Sequence, residues 1–297
     1  MIGPVGPAGL PPRLAGLGRC LVMGVLNVTA DSFSDGGRFL DADSAIAAGL
    51  RLAADGADLV DVGGESTRPG AQRVAGAVER DRVLPVVRAL ADAGVAVSID
   101  TMRAETASVC HAAGAVLVND VSGGLADPQM LPWLATVDAP YIAMHWRGPS
   151  AEMAALASYG DVVADVTAEL RARLAACAGA GVDLARVVVD PGLGFAKEAE
   201  HNWLLLAALD ELRGLGRPVL VGASRKRFLG ELLPDAAAVP RPVHDRDRAT
   251  DAVSALAAAA GAWCVRVHDA RSGADAVRVA ARWAEAQAAS GRGEPPR

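Results

Sequence analysis

Eight short apolar runs, each closing on polar residues, punctuate this chain at intervals filled by Ala- and Leu-rich segments. They are CLVMGVLNVT (20–29), DLVDVGGES (58–66), VAVSIDT (95–101), AVLVNDVS (115–122), PYIAMHW (140–146), RVVVDPG (186–192), PVLVGAS (218–224) and WCVRVHD (263–269). Each is close to continuously apolar, as a parallel strand covered on both faces must be. Between them, SAIAAGLRLAADG (44–56), AVERDRVLPVVRALADAG (77–94) and DVVADVTAELRARLAACAGAG (161–181) carry helical spacing. Several such segments end in Gly, which stops a helix without backbone strain. Strand–helix alternation repeated eight times predicts an α/β fold: a single (β/α)8 TIM barrel with its ligand site at the C-terminal ends of the strands. An open doubly wound sheet is the competitor. No GxGxxG follows the first run, which weakens the dinucleotide-binding form of that alternative.

A chain of 297 residues suits one such barrel, and a hydrophobic content of 52% supplies its core. The expected boundaries are a flexible Gly/Pro-rich leader over 1–19, a catalytic domain over 20–288, and a disordered tail over 289–297. The net charge of −6 argues against nucleic acid and anionic membranes as partners. Cys20, Cys110, Cys177 and Cys264 are scattered, with no CxxC, and read as buried free thiols in a reducing compartment. No signal peptide opens the chain, and no run reaches the roughly 18 uninterrupted apolar residues of a membrane span. A soluble, cytoplasmic protein is expected.

The polar residues at the strand ends are Asn27, Glu65 to Arg68, Asp100, Asn119, His145, Asp190, Ser224 to Lys226, and Arg266 with His268. In a barrel these ends converge on one face. Any one of them alone could cap a helix or turn. Together, Asp100, Asn119 and Asp190 would offer acceptors and an amide to a flat heterocycle rich in N–H donors. Asp120 follows Asn119 directly, so in extended chain the two face opposite ways, and Asn119 is assigned to the pocket. Asp61 is ambiguous, because it lies inside its strand. GLGFAK (192–197) lacks the GK[ST] ending of a P-loop, and its Phe195 could wall an aromatic ligand. Lys226 near carboxylates would be a ligand-binding cation. Arg68, Arg266 and His268 together suit a phosphate group. His111, His201 and His244 have no metal spacing, and HDRDR (244–248) reads as an exposed helix start. No Ser-His-Asp or Cys-His order stands out. The ensemble describes a heterocycle site with a phosphorylated leaving group and no covalent nucleophile.

In order along the chain, MGVLNVTADSFSDGG, DVGGESTRPGA, SIDT, VNDVSGG, MHW, DPGLGFAK, GASRK and RVHD make it resemble the dihydropteroate synthases over essentially residues 20–285. That resemblance implies a transferase of folate biosynthesis. Its reaction joins 6-hydroxymethyl-7,8-dihydropterin diphosphate to p-aminobenzoate, giving 7,8-dihydropteroate and pyrophosphate. By resemblance, Asp100, Asn119, Asp190 and Lys226 hold the pterin, while Asn27, Arg68, Arg266 and His268 hold the diphosphate. Mg²⁺ is the implied cofactor, with Asn27 and Asp35 at the metal. Phe33, Thr67, Pro69, Phe195 and Ser224 border p-aminobenzoate, the position sulfonamides take in the family. The catalytic set would be Asp100, Asp190, Lys226, Arg266 and His268.

Two departures stand out. Leu193 occupies a position where many members have Phe, and Glu198 one where many have Asn. A pterin methyltransferase using methyltetrahydrofolate is one rival, but it would need a corrinoid partner and no diphosphate cluster. A non-catalytic paralogue is another, yet GESTRP, SRK and RVHD are all intact. The segment DAVSALAAAAGAW (251–263) is small and apolar almost all round, as a helix buried on more than one side would be, and a homodimer through the late helices is expected.

Overall fold

In a computed structural model, residues 4–29, 38–66, 73–149, 152–153 and 155–290 are described. The eight apolar runs all become strands: β1 Leu21–Asn27, β2 Leu59–Gly63, β3 Val97–Asp100, β4 Leu117–Asp120, β5 Tyr141–Met144, β6 Val187–Asp190, β7 Leu220–Val221 and β8 Cys264–Val267. All pairings between them are parallel, in the order β6-β5-β4-β3-β2-β1-β8-β7. A single bridge between Val189 and Val219, with Val189 N–H donating to Pro218 O at 2.9 Å, brings the two end strands together. The sheet is thus a nearly closed barrel.

Helices fill the connections: α1 Pro12–Ala15, α2 Arg38–Ala54, α3 Gly76–Asp92, α4 Ala104–Ala112, α5 Met130–Leu134, α6 Val162–Gly179, α7 Ala199–Ala207, α8 Leu209–Arg213, α9 Arg227–Leu232, α10 Asp247–Ala259 and α11 Ala270–Ala289. The α6 start is fixed by Asp161, whose carboxylate accepts from the N–H groups of Val163 and Ala164. Alternation along each strand divides the side chains between two cores. Val60 and Val62 of β2, Val97 and Ile99 of β3, and Val187 and Val189 of β6 face outward to the helices. Leu59, Ala96, Leu117, Ile142, Val188, Leu220 and Cys264 face inward and fill the N-terminal half of the barrel. This packed plug leaves the opposite end of the interior as the place for polar groups.

The same plug corrects the reading of the leader. Leu10 and Leu14 are buried against the inward-facing residues and Trp263, so the described part of the leader covers the barrel floor. Arg19 then pairs with Asp58 through two bonds of 2.8 Å, and Asp58 accepts the Val22 N–H at 2.8 Å. Apolar side chains that close an otherwise open barrel end outweigh the Gly/Pro content that suggested looseness. On α10, expected to be buried on more than one side, the barrel covers one face. Thr250, Val253, Ser254 and Ala257 are buried, but Leu256 is 71% exposed. All four cysteines are free and buried.

Because Leu14 plugs the floor and the polar groups sit at the other end, Leu14→Ala is expected to cost about 2–5 kcal/mol of stability. Urea unfolding should show it as a lower midpoint with an unchanged slope. A midpoint equal to that of the unaltered chain would show that the leader is not part of the core.

Candidate active site

Strand register sets the layer from which the site is built. Asn27, Gly63, Asp100 and Asn119 are successive partners across β1 to β4, and Met144 stands opposite Asp190 across β5 and β6. Asn119 turns inward and donates from Nδ2 to Asp61 Oδ2 at 2.9 Å. Asp120 turns outward, where it accepts from Tyr141 Oη at 2.9 Å and from Ser122. Arg266 reaches across the interior from β8. Its Nε donates to Asp61 Oδ2 at 2.6 Å and its Nη2 to Asp100 Oδ2 at 2.8 Å. The resemblance puts Arg266 at the diphosphate; its guanidinium lies between Asp61 and Asp100, the second of which the resemblance assigns to the pterin, so it also stands against that part of the site.

Asp190 ends β6 and accepts the Gly192 N–H at 2.7 Å. Gly192 has a φ of +66°, and a Cβ there would lie 2.3 Å from the His145 carbonyl oxygen, so this turn needs glycine. Lys226 donates to the Leu193 carbonyl, and its Nζ lies 4.9 Å from the centre of the Phe195 ring. Leu193 itself is fully buried, and Glu198 serves as the N-cap of α7 in a capping box with His201. Both departures therefore have structural roles. At the outer rim, Ser224 Oγ and His268 Nδ1 are 2.9 Å apart, and the His268 N–H donates to the same Oγ at 3.1 Å. Gly222 faces the space between these groups: a Cβ there would stand 3.9 Å from Arg266 Cβ, 3.9 Å from Asp190 Oδ2 and 4.0 Å from Lys226 Nζ.

Burial dominates the electrostatics. It pushes Asp100 up to about 8, against the pull of Arg266 and with help from Asp61. It raises Asp190 too, opposed by Lys226. Lys226 falls to about 8 because burial disfavours its charge more than Asp190 favours it. The guanidinium of Arg266 stays charged, since Asp61 and Asp100 outweigh its burial.

A second polar chain, which strand-end reading did not assemble, supports the β6–α7 loop from behind. Lys197 Nζ is 2.9 Å from His145 Nδ1, and His145 Nε2 is 2.9 Å from Glu169 Oε2. Arg147 pairs with the same Glu169 and lies 3.8 Å over the Tyr159 ring, whose hydroxyl donates to the Ala196 carbonyl at 2.9 Å. Ala196 has a φ of +48°, a costly conformation for alanine that this bond helps to hold. Glu169 lies within α6, distant in sequence from His145, and no local motif connects them.

The loop after β2 is anchored at its base. Glu65 accepts from Arg73 at 3.1 Å and from Arg103 at 2.8 Å, and Arg103 also binds Glu79 at 2.6 Å. Phe33, Asp35, Thr67, Arg68 and Pro69 lie outside the described residues. Among the residues described, no group of three or more His, Cys, Asp or Glu side chains is placed to share a metal. No helix among them is long and apolar enough to cross a membrane. Asp61, ambiguous from its place inside a strand, lies on the inner face, as counting by two from Leu59 through Asp61 to Gly63 requires.

Comparison with known proteins gives the same region. A family described as "Pterin binding enzyme" matches residues 23–268. The dihydropteroate synthase of Mycobacterium leprae (strain TN) is 55% identical over 266 residues, covering 89% of this chain and 94% of that protein. The Xanthomonas albilineans dihydropteroate synthase solved in complex with 7,8-dihydropteroate superposes with a TM-score of 0.79 at 40% identity, covering 91% of this chain and 94% of that one. The Yersinia pestis enzyme solved with a sulfonamide drug complex gives 0.84 at 38% identity, covering 95% and 99%.

Burial and the Lys197 charge bring His145 down to about 3 despite Glu169. Its imidazole should stay neutral, accepting from Lys197 at Nδ1 and donating to Glu169 from Nε2. NMR of the folded protein should therefore show the His145 ring still neutral at pH 5, and an imidazolium at that pH would contradict this chain of bonds.

Proposed function

The chain belongs to the pterin binding enzyme family, and we infer from the pocket at its strand ends that it acts as a dihydropteroate synthase. The observation that carries this reading is the convergence of Asp100, Asn119, Asp190, Lys226 and Arg266 on one buried layer. A dihydropterin presents ring N–H and amino groups beside a carbonyl oxygen and ring nitrogens. Carboxylates of Asp100 and Asp190 suit the donors, while Lys226 and the Asn119 amide suit the remaining edge. In the reaction, the C–O bond to the diphosphate breaks and takes its electron pair with the leaving group. The arylamine nitrogen forms the new C–N bond and loses a proton. An arylamine is already a neutral nucleophile, so the barrier lies in C–O cleavage. Positive charge that develops on the carbon and spreads into the pterin ring favours a dissociative path, and an Asp190 carboxylate bonded to pterin N–H groups strengthens that donation.

The departing diphosphate is assigned to Asn27, Arg68, Arg266 and His268, and p-aminobenzoate to Phe195 and Ser224 with Phe33, Thr67 and Pro69. Magnesium takes phosphate oxygens and water with one or two protein oxygens, a demand that the Asn27 amide carbonyl fits, with Asp35 as the second assigned ligand. When bound, the ion supplies positive charge to the leaving group.

We also propose a homodimer through α10 and α11. Leu256 on α10, and Val279 and Trp283 one turn apart on α11, are 71%, 62% and 67% exposed on helices that pack together. Large apolar groups exposed on neighbouring helices fit a second copy of the chain. Trp283→Glu should convert the dimer to a monomer in light scattering at micromolar concentration. An unaltered chain already monomeric there would refute the assignment.

The test of the activity is pyrophosphate release by purified protein given both substrates and Mg²⁺; no release would refute it. Gly222→Ala adds a methyl that meets no atom closer than ordinary contact but enters the space between Arg266, Asp190 and Lys226. The variant should fold normally and lose about ten- to a hundred-fold in affinity for the dihydropterin, measured by calorimetry. Unchanged affinity would place the pterin elsewhere.

A further inference from the structure

We infer that Asp61 is a positioning residue, the fixed counter-ion that keeps Arg266 and Asn119 in place while Asp100 exchanges Arg266 for substrate. The inference rests on the pterin-binding reading above. Two carboxylates share one guanidinium, but their surroundings differ. The Asp61 side chain is 0% exposed, whereas those of Asp100 and Arg266 are 10% and 22% exposed. A ligand entering from the strand ends meets Asp100 and Arg266, with Asp61 behind them. Asp61 Oδ1 has no hydrogen-bond partner among the described residues, so its hydrogen bonding comes through Oδ2, from Arg266 at 2.6 Å and Asn119 at 2.9 Å. A carboxylate only accepts, so it also decides which end of the Asn119 amide turns away from it, toward the pocket.

The consequence appears on binding. Asp100 satisfies a pterin N–H by turning lone pairs now given to Arg266 toward the ligand. Without Asp61, the guanidinium would follow Asp100 or swing to the diphosphate, and the Asn119 amide would lose its orientation. With Asp61 in place, the charge behind the pterin keeps its position as the ligand enters. Removing Arg266 instead leaves the Asp61 carboxylate buried and unpaired, a costly state that neutralising Asp61 should relieve.

A double-mutant cycle on the full chain tests this with Asp61→Asn, Arg266→Gln and the pair combined. Asp61→Asn should lower kcat/KM for the pterin diphosphate by roughly ten- to a hundred-fold, with KM for p-aminobenzoate within about two-fold. If Asp61 acts through Arg266, the combined variant should be no slower than Arg266→Gln alone. Without any substrate, the combined variant should melt at a higher temperature than Arg266→Gln alone. Losses in kcat/KM that multiply, an Asp61→Asn variant within about two-fold of the unaltered chain, or a combined variant no more stable than Arg266→Gln would each overturn the proposal. The melting comparison decides the matter even if Asp61→Asn alone folds poorly. If the unaltered chain releases no pyrophosphate, the activity reading fails, while the melting comparison still reports on Asp61.

Discussion

A guanidinium held between two carboxylates inside a barrel is expensive unless every charge is compensated, and the bonds from Arg266 to Asp61 and Asp100 meet that demand with short contacts. The three residues come from β8, β2 and β3, so no local segment could assemble them. Closure of the barrel brings them together. The apolar plug of Leu59, Leu117, Ile142, Val188 and Leu220 occupies the lower interior and leaves charges only the C-terminal layer. Asp190 and Lys226 form a second opposed pair in that layer, coupled by charge. The pocket's shape and its electrostatics therefore follow from one partition of inward-facing side chains.

The two loops that complete the pocket each carry a residue in an unfavourable conformation. Ala196 and Arg225 have φ of +48° and +57°. Neither sits alone. Ala196 is bound by Tyr159, and Arg225 is bound through its guanidinium to Asp247 at 2.7 and 2.8 Å and through its N–H to Thr250. Such backbone states persist where surrounding contacts over-determine them. In both loops the strained residue is next to one assigned above to a substrate, Phe195 in the first and Ser224 or Lys226 in the second. The outer contacts are thereby converted into fixed positions at the site.

The fold was legible because each strand is an apolar run that stops at a polar residue, and that signal is local. β1, β3, β4 and β6 end on Asn27, Asp100, Asp120 and Asp190, as their runs suggested. The choice of Asn119 over Asp120 for the inner face needed only the two-residue period. Relations between strands were less accessible. The pairing of Arg266 with Asp61 and Asp100 was hidden, since the three are far apart in the chain. The His145–Glu169–Lys197 chain was hidden for the same reason, because Glu169 looks like any charged residue of an amphipathic helix. The leader was misread because composition reports freedom of the unfolded chain, whereas Leu10 and Leu14 act through an open barrel floor that only the assembled fold possesses.

Burial that raises Asp100 to about 8 and lowers Lys226 to about 8 also says how a free pocket differs from an occupied one. Burial opposes a full negative charge on Asp100 beside Asp61, while Arg266 favours it, so the proton on Asp100 is held more tightly than on an exposed carboxyl. A heterocycle that presents N–H donors favours the ionised carboxylate, so ligand binding and loss of that proton are thermodynamically linked. The guanidinium must keep its position through this change, because it is the nearest cation to the carboxylate that forms. Asp61, buried behind both groups, has the geometry to hold it there, being shielded from the ligand and bonded to Arg266 and Asn119 together. On the proposed role of Asp61, the carboxylate whose ionisation burial opposes is thus supported by a second one that lies deeper in the barrel.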